Sequence, residues 1–196
     1  MALHPYLWEI MEERWGRIME DERRVSSEDI PPATGKTEDE RLLEKYAHAF
    51  TGGFAHSLDS KGRMVVPQSF RADLGPTFYI APSHDFHAIG LYPNLTWARL
   101  RDQYRRKESM NPLVISYLEL FDAYSYSGQV MDGQGRVLLP AQIRQLVLKE
   151  EKDVEITGNT DHILVTASAS FEEKKRKVLE NMEEILAAMA GRQGAG

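Results

Sequence analysis

Two arginines and two aspartates occupy matching positions in a decapeptide that the chain contains twice. Leu58–Pro67 reads LDSKGRMVVP, and Met131–Pro140 reads MDGQGRVLLP. An arginine guanidinium stays charged, and its planar fork can pair bidentately with a guanine edge or a phosphate. An aspartate is repelled by phosphate, so its expected role is to form the turn or to orient the arginine. The residues selected by this pattern are Asp59 with Arg63 and Asp132 with Arg136.

Further side chains near each decapeptide extend the predicted site. Lys61 in the first copy is a candidate phosphate contact, and Gln134 stands in its place in the second, where weaker or neutral contacts are expected. Arg71 and Arg144, eight residues after each motif arginine, are candidate phosphate contacts as well. For a motif arginine the alternative is a solvated side chain after a good turn, and for a helix arginine it is pairing with a nearby acid.

The two decapeptides belong to an internal duplication. At a constant offset of 73 residues (132 − 59), the aspartate, glycine, arginine and proline positions coincide, and Phe70 falls on Ile143. The similarity continues more loosely into FYIAPSHDFHAIGLYP (78–93) and VEITGNTDHILVTA (154–167). One copy alone has too few residues to bury both faces of its sheet. We therefore expect the two copies to pair, with a pseudo-twofold axis inside the chain.

Each copy predicts the same order of elements. The tetrads DSKG and DGQG fit a tight hairpin turn, in which aspartate accepts backbone N–H bonds and glycine takes a positive φ angle. A strand follows, and Pro67 or Pro140 then suits the first position of a short helix, which Gly75 closes in the first copy. The predicted unit is strand, turn, strand, short helix, strand, turn, strand.

Helices are also predicted between and after the copies. The segment TWARLRDQYRRK (96–107) is basic and forms either a second nucleic-acid patch or a solvated helix face. The next segment begins with Asn111 as a cap and Pro112 at the first helical position. Its apolar stripe is either core or subunit interface. The segment SFEEKKRKVLENMEEILAAMA predicts one long amphipathic helix, packed on the barrel or on a neighbouring subunit. The stripe consists of Leu113, Tyr117, Leu120 and Tyr124.

Enzyme and metal chemistry has little support in the sequence. The best metal candidates, His84, Asp85 and His87, lie in a predicted strand-connecting loop and lack the helical spacing of a metalloprotease. The sequence contains no Gly-rich phosphate loop, nucleophile elbow or paired-carboxylate motif. We predict no catalytic residue, no metal, no cofactor and no small-molecule substrate.

Composition sets the remaining limits on function. The 196 residues include no cysteine, which excludes disulfides and thiolate zinc sites. The longest apolar runs are far below the roughly 20 residues that cross a bilayer, so no membrane span is expected. The net charge is −6, but residues 1–50 carry 7 basic and 12 acidic side chains, and the remainder is nearly neutral. A local basic patch is compatible with this distribution.

The first 49 residues are predicted to form a helical extension and a linker. An amphipathic helix is expected within residues 5–24, followed by the linker sequence VSSEDIPPATGK. A capping box from Thr37 to Glu40 then predicts a second short helix. An acidic extension of this kind can dock on a partner subunit, mask DNA-facing loops or recruit another protein, and the sequence does not choose among these roles.

Two spaced motifs in a fixed order carry a family resemblance. FTGGFAHSLDSKGRMVVPQSFR (50–71) and the later DGQGRVLLP resemble the MraZ family of bacterial transcriptional regulators, over about residues 50–180. The resemblance implies an α+β fold, a double-split β-barrel built from two tandem SpoVT/AbrB-like half-barrels with flanking helices. The implied divisions are a first domain at 50–110, a second at 111–180 with an interface helix at 111–122, and a helix end and tail at 181–196.

The resemblance also implies a function. The family acts as a repressor of its own division and cell-wall operon, binds direct repeats upstream of the first gene and forms ring-shaped homo-oligomers. Its Asp-x-x-x-Arg motif for DNA contact falls on Asp59 with Arg63 and on Asp132 with Arg136. The implied partners are double-stranded DNA of the chain's own promoter and further copies of the chain, in the cytoplasm at the nucleoid.

A protein-interaction module is the alternative of a different class. An antitoxin-like protein of this fold would bind a partner through its added N-terminal helices. Such antitoxins carry one half-barrel motif per chain, so the two fused copies speak against this alternative. Retention on heparin discriminates the two, since a purely protein-binding module of net charge −6 should not be retained.

Overall fold

The structure is a computed structural model and describes residues 37–107, 111–149 and 151–190. The chain divides into two compact units, Met1–Glu44 and Lys45–Gly196. The predicted N-terminal helix and the whole linker lie outside the described residues, as does the end of the C-terminal tail. The strands are β1 (Gly53–Ser57), β2 (Arg63–Val65), β3 (Phe78–Pro82), β4 (Ile89–Pro93), β5 (Tyr126–Gln129), β6 (Arg136–Leu138), β7 (Asp153–Asn159) and β8 (His162–Ala167).

Helices flank and separate these strands. A short helix follows β2 and another follows β6, as the duplicated sequence predicts. The helices are α1 (Glu38–Tyr46), α2 (Gln68–Leu74), α3 (Asn94–Lys107), α4 (Pro112–Ala123), α5 (Ala141–Val147), α6 (Ser168–Glu180) and α7 (Met182–Ala190).

Six of the strands form one antiparallel sheet in the order β1-β7-β8-β4-β3-β5. Exchanging the two copies maps β1 onto β5, β7 onto β3 and β8 onto β4, so the order reads the same from either edge. At the centre, Gly90 of β4 lies opposite Leu164 of β8, its counterpart in the other copy. The sheet therefore has the internal pseudo-twofold symmetry predicted from the duplication.

The copies also exchange their first strands. β1 of the first copy pairs with β7 of the second, from Gly53 opposite Thr157 to Ser57 opposite Asp153. β5 of the second copy pairs with β3 of the first, with an irregular register between Phe78 and Ile80. Because each copy completes the sheet of the other, neither copy has a core of its own.

The two remaining strands, β2 and β6, form a separate antiparallel ribbon. Arg63 lies opposite Leu138, Met64 opposite Val137, and Val65 opposite Arg136. Met64 and Val137 are equivalent under the offset of 73 residues (137 − 64), so the pseudo-twofold axis passes between them. Both are almost fully buried. The ribbon is thus attached to the main core by one face.

A single apolar core lies between the sheet, the ribbon and helices α2 and α5. Its members come from both copies in similar numbers. Alternating strand residues turn to opposite faces, which is why Phe78 and Ile80 enter this core while Tyr79 and Ala81 do not. Phe70 and Leu74 of α2 are buried in it, as is Ile143 of α5.

An aromatic cluster covers the other face of the sheet at β3 and β4. Trp97 of α3 stacks on Tyr79 at 4.7 Å and on Phe121 of α4 at 5.8 Å, measured between ring centroids. Phe121 is fully buried, and burial of a phenylalanine side chain contributes about 1.5–3 kcal/mol. By contrast, Leu113 and Leu120 of the predicted α4 stripe are exposed. Of the two alternatives for that stripe, the core interpretation therefore fits Tyr117 and Tyr124, which pack on buried clusters, and not these two leucines.

The helix caps agree with the sequence. The Asn111 side chain accepts a 2.9 Å hydrogen bond from the Leu113 N–H, and Pro112 opens α4. Thr37 and Glu40 form the predicted capping box at the start of α1, with bonds of 3.2 and 2.8 Å. Each cap satisfies backbone N–H groups that a first helical turn leaves without partners.

The C-terminal helix differs from its prediction. It is interrupted at Asn181, which leaves helical geometry at φ −105° and ψ 19°, so α6 and α7 are two helices. The Asn181 side chain donates a 2.8 Å hydrogen bond to the Lys177 carbonyl. No residue of α6 or α7 is buried, although Met182, Leu186 and Met189 are apolar. No helix within the described ranges is long and apolar enough to span a membrane.

The architecture is α+β, as predicted, but three finer predictions are not confirmed. The described strands form an open antiparallel sheet plus a ribbon, so the double-split barrel is not confirmed. The turns DSKG and DGQG form, but their flanking strands pair elsewhere: β1 with β7, and β2 with β6. They are connections between the sheet and the ribbon and not tips of β-hairpins. Pro67 and Pro140 are N-caps, one residue before the predicted position.

Candidate nucleic-acid interface

Two equivalent turns connect the sheet to the ribbon. In turn 1 (Asp59–Gly62), the Gly62 N–H donates to the Asp59 carbonyl at 2.9 Å, and Gly62 has φ +77°. In turn 2 (Asp132–Gly135), the corresponding bond is 2.8 Å and Gly135 has φ +75°. Glycine adopts this left-handed conformation without the steric cost that a side chain would bring. The arginine that follows each turn is the first residue of a ribbon strand.

The aspartate of turn 1 holds both the backbone and the arginine side chain. Its Oδ1 atom accepts 2.9 Å hydrogen bonds from the N–H groups of Lys61 and Arg63. Its Oδ2 atom accepts from Arg63 Nε and lies 2.7 Å from an Nη atom. These contacts fix the direction of the guanidinium. They occupy two of its five N–H donors, and three remain for another ligand.

Turn 2 repeats this arrangement. Asp132 Oδ1 accepts 2.9 Å hydrogen bonds from the N–H groups of Gln134 and Arg136. Asp132 Oδ2 accepts a 2.7 Å bond from Arg136 Nε. The two aspartates therefore have both roles expected from the sequence, since they close the turns and orient the arginines.

The same contacts perturb the acidity of both carboxyls. Hydrogen bonds from the Arg63 backbone and then from its side chain lower the pKa of Asp59 from 3.8 to about 2. The equivalent contacts from Arg136 lower the pKa of Asp132. Hydrogen bonds to the charged form favour that form. Both aspartates are thus ionised at neutral pH and keep the arginines oriented.

Arg71 and Arg144 brace the turn of the opposite copy. Arg144 Nε donates to the Leu139 carbonyl at 3.0 Å, and its guanidinium lies directly against Gly62 of turn 1. Arg71 Nε donates to the Val66 carbonyl at 2.9 Å, and its guanidinium lies against Gly135 of turn 2. A side chain on either glycine would overlap the arginine. The glycines are required for this close approach as well as for their positive φ.

The sequence missed this bracing. It assigned Arg71 and Arg144 either to phosphate contact or to pairing with a nearby acid. The signal was present, because a turn glycine and a helix arginine are repeated together in both copies. The sequence alone could not reveal the contacts, because they join residues far apart in the chain: Arg71 and Gly135 are 64 residues apart (135 − 71), and Gly62 and Arg144 are 82 apart (144 − 62).

The ribbon presents both motif arginines on one outward face. Neighbouring residues of a strand point to opposite sides, so Met64 and Val137 turn into the core while Arg63 and Arg136 turn away from it. The arginine side chains are 30% and 32% exposed. They lie diagonally across the two strands, a relation that places Cα atoms about 7–8 Å apart.

The other candidate residues lie in the two turns and in α3. Lys61 and Gln134 are exposed within turns 1 and 2. In the basic helix α3, Arg101 pairs with Asp122 of α4 at 2.7 Å and Arg106 pairs with Asp102 at 2.7 Å. This fits the solvated-face interpretation for part of that helix.

The HDFH loop forms a local hydrogen-bonded turn. Asp85 accepts from the Ser83 hydroxyl at 2.5 Å and from the His87 N–H at 3.1 Å. The Ala88 N–H also donates a 2.9 Å hydrogen bond to the Ser83 hydroxyl oxygen, and together these bonds give the loop a structural role. Within the described ranges, no three metal-ligating side chains come together.

The family model and the relatives that match this chain carry the same family name. A family model described as "MraZ protein, putative antitoxin-like" matches residues 49–114. The Transcriptional regulator MraZ of Halothermothrix orenii is 31% identical over 143 residues, which cover 71% of this chain and 96% of that protein. The protein of the same name from Natranaerobius thermophilus is 32% identical over 139 residues, covering 69% and 93%. That of Lactiplantibacillus plantarum is 31% identical over 136 residues, covering 69% and 94%.

Proposed function

Because this chain belongs to the MraZ family, we propose that it is a transcriptional regulator that binds double-stranded DNA through the outward face of the β2–β6 ribbon. The relatives are named as transcriptional regulators. The match covers more than nine-tenths of each of them, so the proposal concerns the matched part of this chain.

One observation carries the proposal: two oriented arginines stand on one face of a two-stranded antiparallel ribbon. The major groove of B-DNA admits such a ribbon, and arginine pairs bidentately with guanine O6 and N7 there. A diagonal spacing of about 7–8 Å is close to two base-pair steps of about 3.4 Å each. Arg63 and Arg136 are therefore suited to read two guanines about two base pairs apart.

The surrounding residues have supporting roles. Asp59 and Asp132 orient the arginines and stay clear of phosphate. Lys61 contacts the DNA backbone beside turn 1, and Gln134 offers a neutral hydrogen bond beside turn 2. Arg71 and Arg144 hold the opposite turns in place.

The proposal extends to the assembly and the operator. The two copies, 50–110 and 111–180, are the two SpoVT/AbrB-like domains, and their sheet and ribbon correspond to the double-split barrel of that fold. The exposed apolar side chains of α4, α6 and α7 favour contact between copies of the chain in a ring. Such a ring would present several ribbons to direct repeats upstream of the protein's own operon, at the nucleoid, to repress it.

The test is binding to the DNA immediately upstream of the chain's own gene, measured over a salt series. Each bidentate arginine–guanine pair is worth about 1–3 kcal/mol of discrimination. We expect the Arg63→Ala/Arg136→Ala double variant to lose at least about 30-fold in affinity for that DNA. The matched control is Arg176→Ala/Lys177→Ala, which removes the same charge from α6, where both residues pair with Glu173. The control should bind as the parent does.

Two outcomes would redirect the proposal. Equal binding by the parent and the ribbon variant would move the contact to the basic residues of α3. No binding by either protein, with no retention on heparin, would favour the protein-interaction alternative, and the words "antitoxin-like" occur in the family description. Circular dichroism checks that each variant is folded.

A further inference from the structure

We propose that Val65 and Leu138 are specificity-determining residues that contact the C5-methyl group of thymine beside the guanines read by the arginines. This inference rests on the proposed DNA-binding function and adds a base preference to it. Thymine is the one base whose major-groove edge carries a methyl group, and an apolar side chain is its expected contact.

The register of the ribbon places an aliphatic side chain beside each arginine. Leu138 lies directly opposite Arg63, and Val65 lies directly opposite Arg136. All four residues occupy the outward face, because Met64 and Val137 between them occupy the inward one. Side chains directly opposite in an antiparallel pair have Cβ atoms about 4.5–5.5 Å apart. Any ligand that reaches the arginines therefore meets these apolar side chains too.

Neither aliphatic side chain is explained by the core. Leu138 is 54% exposed and Val65 is 36% exposed, whereas Leu139 and Val66, the next residues along each strand, are fully buried. A single exposed leucine is ordinary on a protein surface. Two aliphatic residues at equivalent positions of a duplicated motif, each facing the motif arginine of the other copy, are a repeated feature of the site.

The turn tips differ between the two copies, whereas the outward ribbon positions keep the same types of side chain. Ser60 corresponds to Gly133, and Lys61 corresponds to Gln134. The outward ribbon positions have kept an arginine and an aliphatic residue in each copy. The shared chemistry of the face is thus a cation next to an apolar group, which matches a guanine next to a thymine.

The spacing predicts which bases are neighbours. A distance of about 5 Å between opposite side chains corresponds to one or two base-pair steps of about 3.4 Å. The ribbon is therefore expected to prefer sites in which each guanine has a thymine one or two steps away. Because Leu138 is longer and more exposed than Val65, we expect it to make the larger contribution.

The experiment compares two forms of the same promoter DNA, one with thymine and one with deoxyuridine at every thymine position. Deoxyuridine removes the methyl group and keeps the base-pairing edge. Each lost methyl contact should weaken binding about fourfold. We expect the parent to bind the uracil form about 4- to 16-fold more weakly, and Val65→Ala/Leu138→Ala to bind both forms equally.

A matched control separates the ribbon from apolar surface in general. Leu186 of α7 is 57% exposed, close to the value for Leu138, and it lies outside the ribbon. Leu186→Ala should keep the parent's ratio of thymine to uracil affinity. The ratio is internal to each protein, so a change in overall affinity or assembly does not obscure it.

The outcomes distinguish this inference from the function it depends on. If the parent binds both DNA forms equally well, the methyl contact is wrong and the regulator function stands. If uracil weakens the parent and the ribbon variant by the same factor, the methyl groups act elsewhere, and the assignment of Val65 and Leu138 is overturned. If the parent binds neither form, the proposed function fails and this inference fails with it.

Discussion

Turn 1 and turn 2 have the same construction and different tips. In both, an aspartate caps the turn and holds the arginine, and a helix arginine of the other copy lies against the turn glycine. At the tips, Lys61 of turn 1 corresponds to Gln134 of turn 2. The residues that the two turns share, the aspartate, the glycine and the helix arginine, set the geometry. The tip residues Lys61 and Gln134 differ in charge. The duplication thus preserves one mechanical arrangement while allowing two unequal contacts with a ligand.

The surroundings of the two turns differ as well. The His56 Nε2 atom accepts a 3.1 Å hydrogen bond from the Val65 N–H, and it comes from β1 beside turn 1. The residue at the offset of 73 from His56 is Gln129, whose side chain donates to the Ser127 carbonyl at 2.9 Å. His56 therefore connects β1 to the ribbon strand that follows turn 1, and Gln129 makes a different hydrogen bond at the equivalent position.

The largest expected effect comes from filling the space that the bracing arginines use. Gly62→Ala combines a positive φ, which costs about 1–2 kcal/mol for a residue with a side chain, with displacement of Arg144, which costs about 0.5–1.5 kcal/mol for its lost contact. We expect a loss of about 1.5–3.5 kcal/mol in the free energy of unfolding, measured by urea denaturation. Gly135→Ala should behave similarly through Arg71.

Two other glycines distinguish the backbone cost of a positive φ from the cost of displacing the arginine. Gly128 has φ +62° with open space around it, so Gly128→Ala should show the backbone cost alone. Gly133 has open space and no positive φ, so Gly133→Ala should change stability by less than about 0.5 kcal/mol. Equal losses for Gly62→Ala and Gly128→Ala would show that bracing by Arg144 adds nothing.

An intermediate effect, on the salt dependence of DNA binding, is expected from exchanging the tip residues Lys61 and Gln134. A lysine that contacts phosphate adds about one unit to the slope of log affinity against log salt. Lys61→Gln should therefore lower the slope by about one, and Gln134→Lys should raise it by about the same amount. The measurement is affinity for promoter DNA at several salt concentrations.

The exchange has a clear control. Lys175→Gln makes the same charge change on α6, where Lys175 pairs with Glu172 at 3.1 Å, and should leave the slope unchanged. A reduced slope for Lys175→Gln would mean that net charge, and not the position of Lys61, sets the salt dependence.

The smallest effect is expected from the acid titration of the turns. The folded-state pKa of Asp59 is about 2, below its ordinary value of 3.8. A lowered pKa stabilises the fold at pH values above 3.8, and this stabilisation is lost as the pH falls toward 2. The melting temperature of the parent should therefore exceed that of Asp59→Asn at pH 6, and the difference should shrink at pH 2.5.

Comparing parent and variant cancels the titration of the other carboxyls. The effect is small because both partners are about one-third exposed, and solvent screens such pairs. Asp132→Asn should show the same trend, since its pKa is lowered by the same contacts. A difference that stays constant from pH 6 to 2.5 would mean that the ionised carboxylate does not stabilise the turn.

Local features of the fold were predictable because they depend on near neighbours in sequence. The capping box of Thr37 and Glu40, the Asn111 cap and the two Asp–Gly turns all formed as expected. The break at Asn181 was missed, because the apolar periodicity continues through it. The sequence left the apolar stripe of α4 open between core and subunit interface, since periodicity indicates which residues share a face and not what covers that face.

The sequence by itself determined the duplication, the short elements of each copy and the pairing of aspartate with arginine in each turn. These depend on turn geometry, caps and contacts within about four residues. Only the tertiary structure decided that β1 and β5 exchange between copies, that Arg71 and Arg144 brace opposite turns, and that Arg63 and Arg136 share a face with Val65 and Leu138. The physical reason is that strand partners far apart in the chain are selected by burial of the whole core, which no local pattern records.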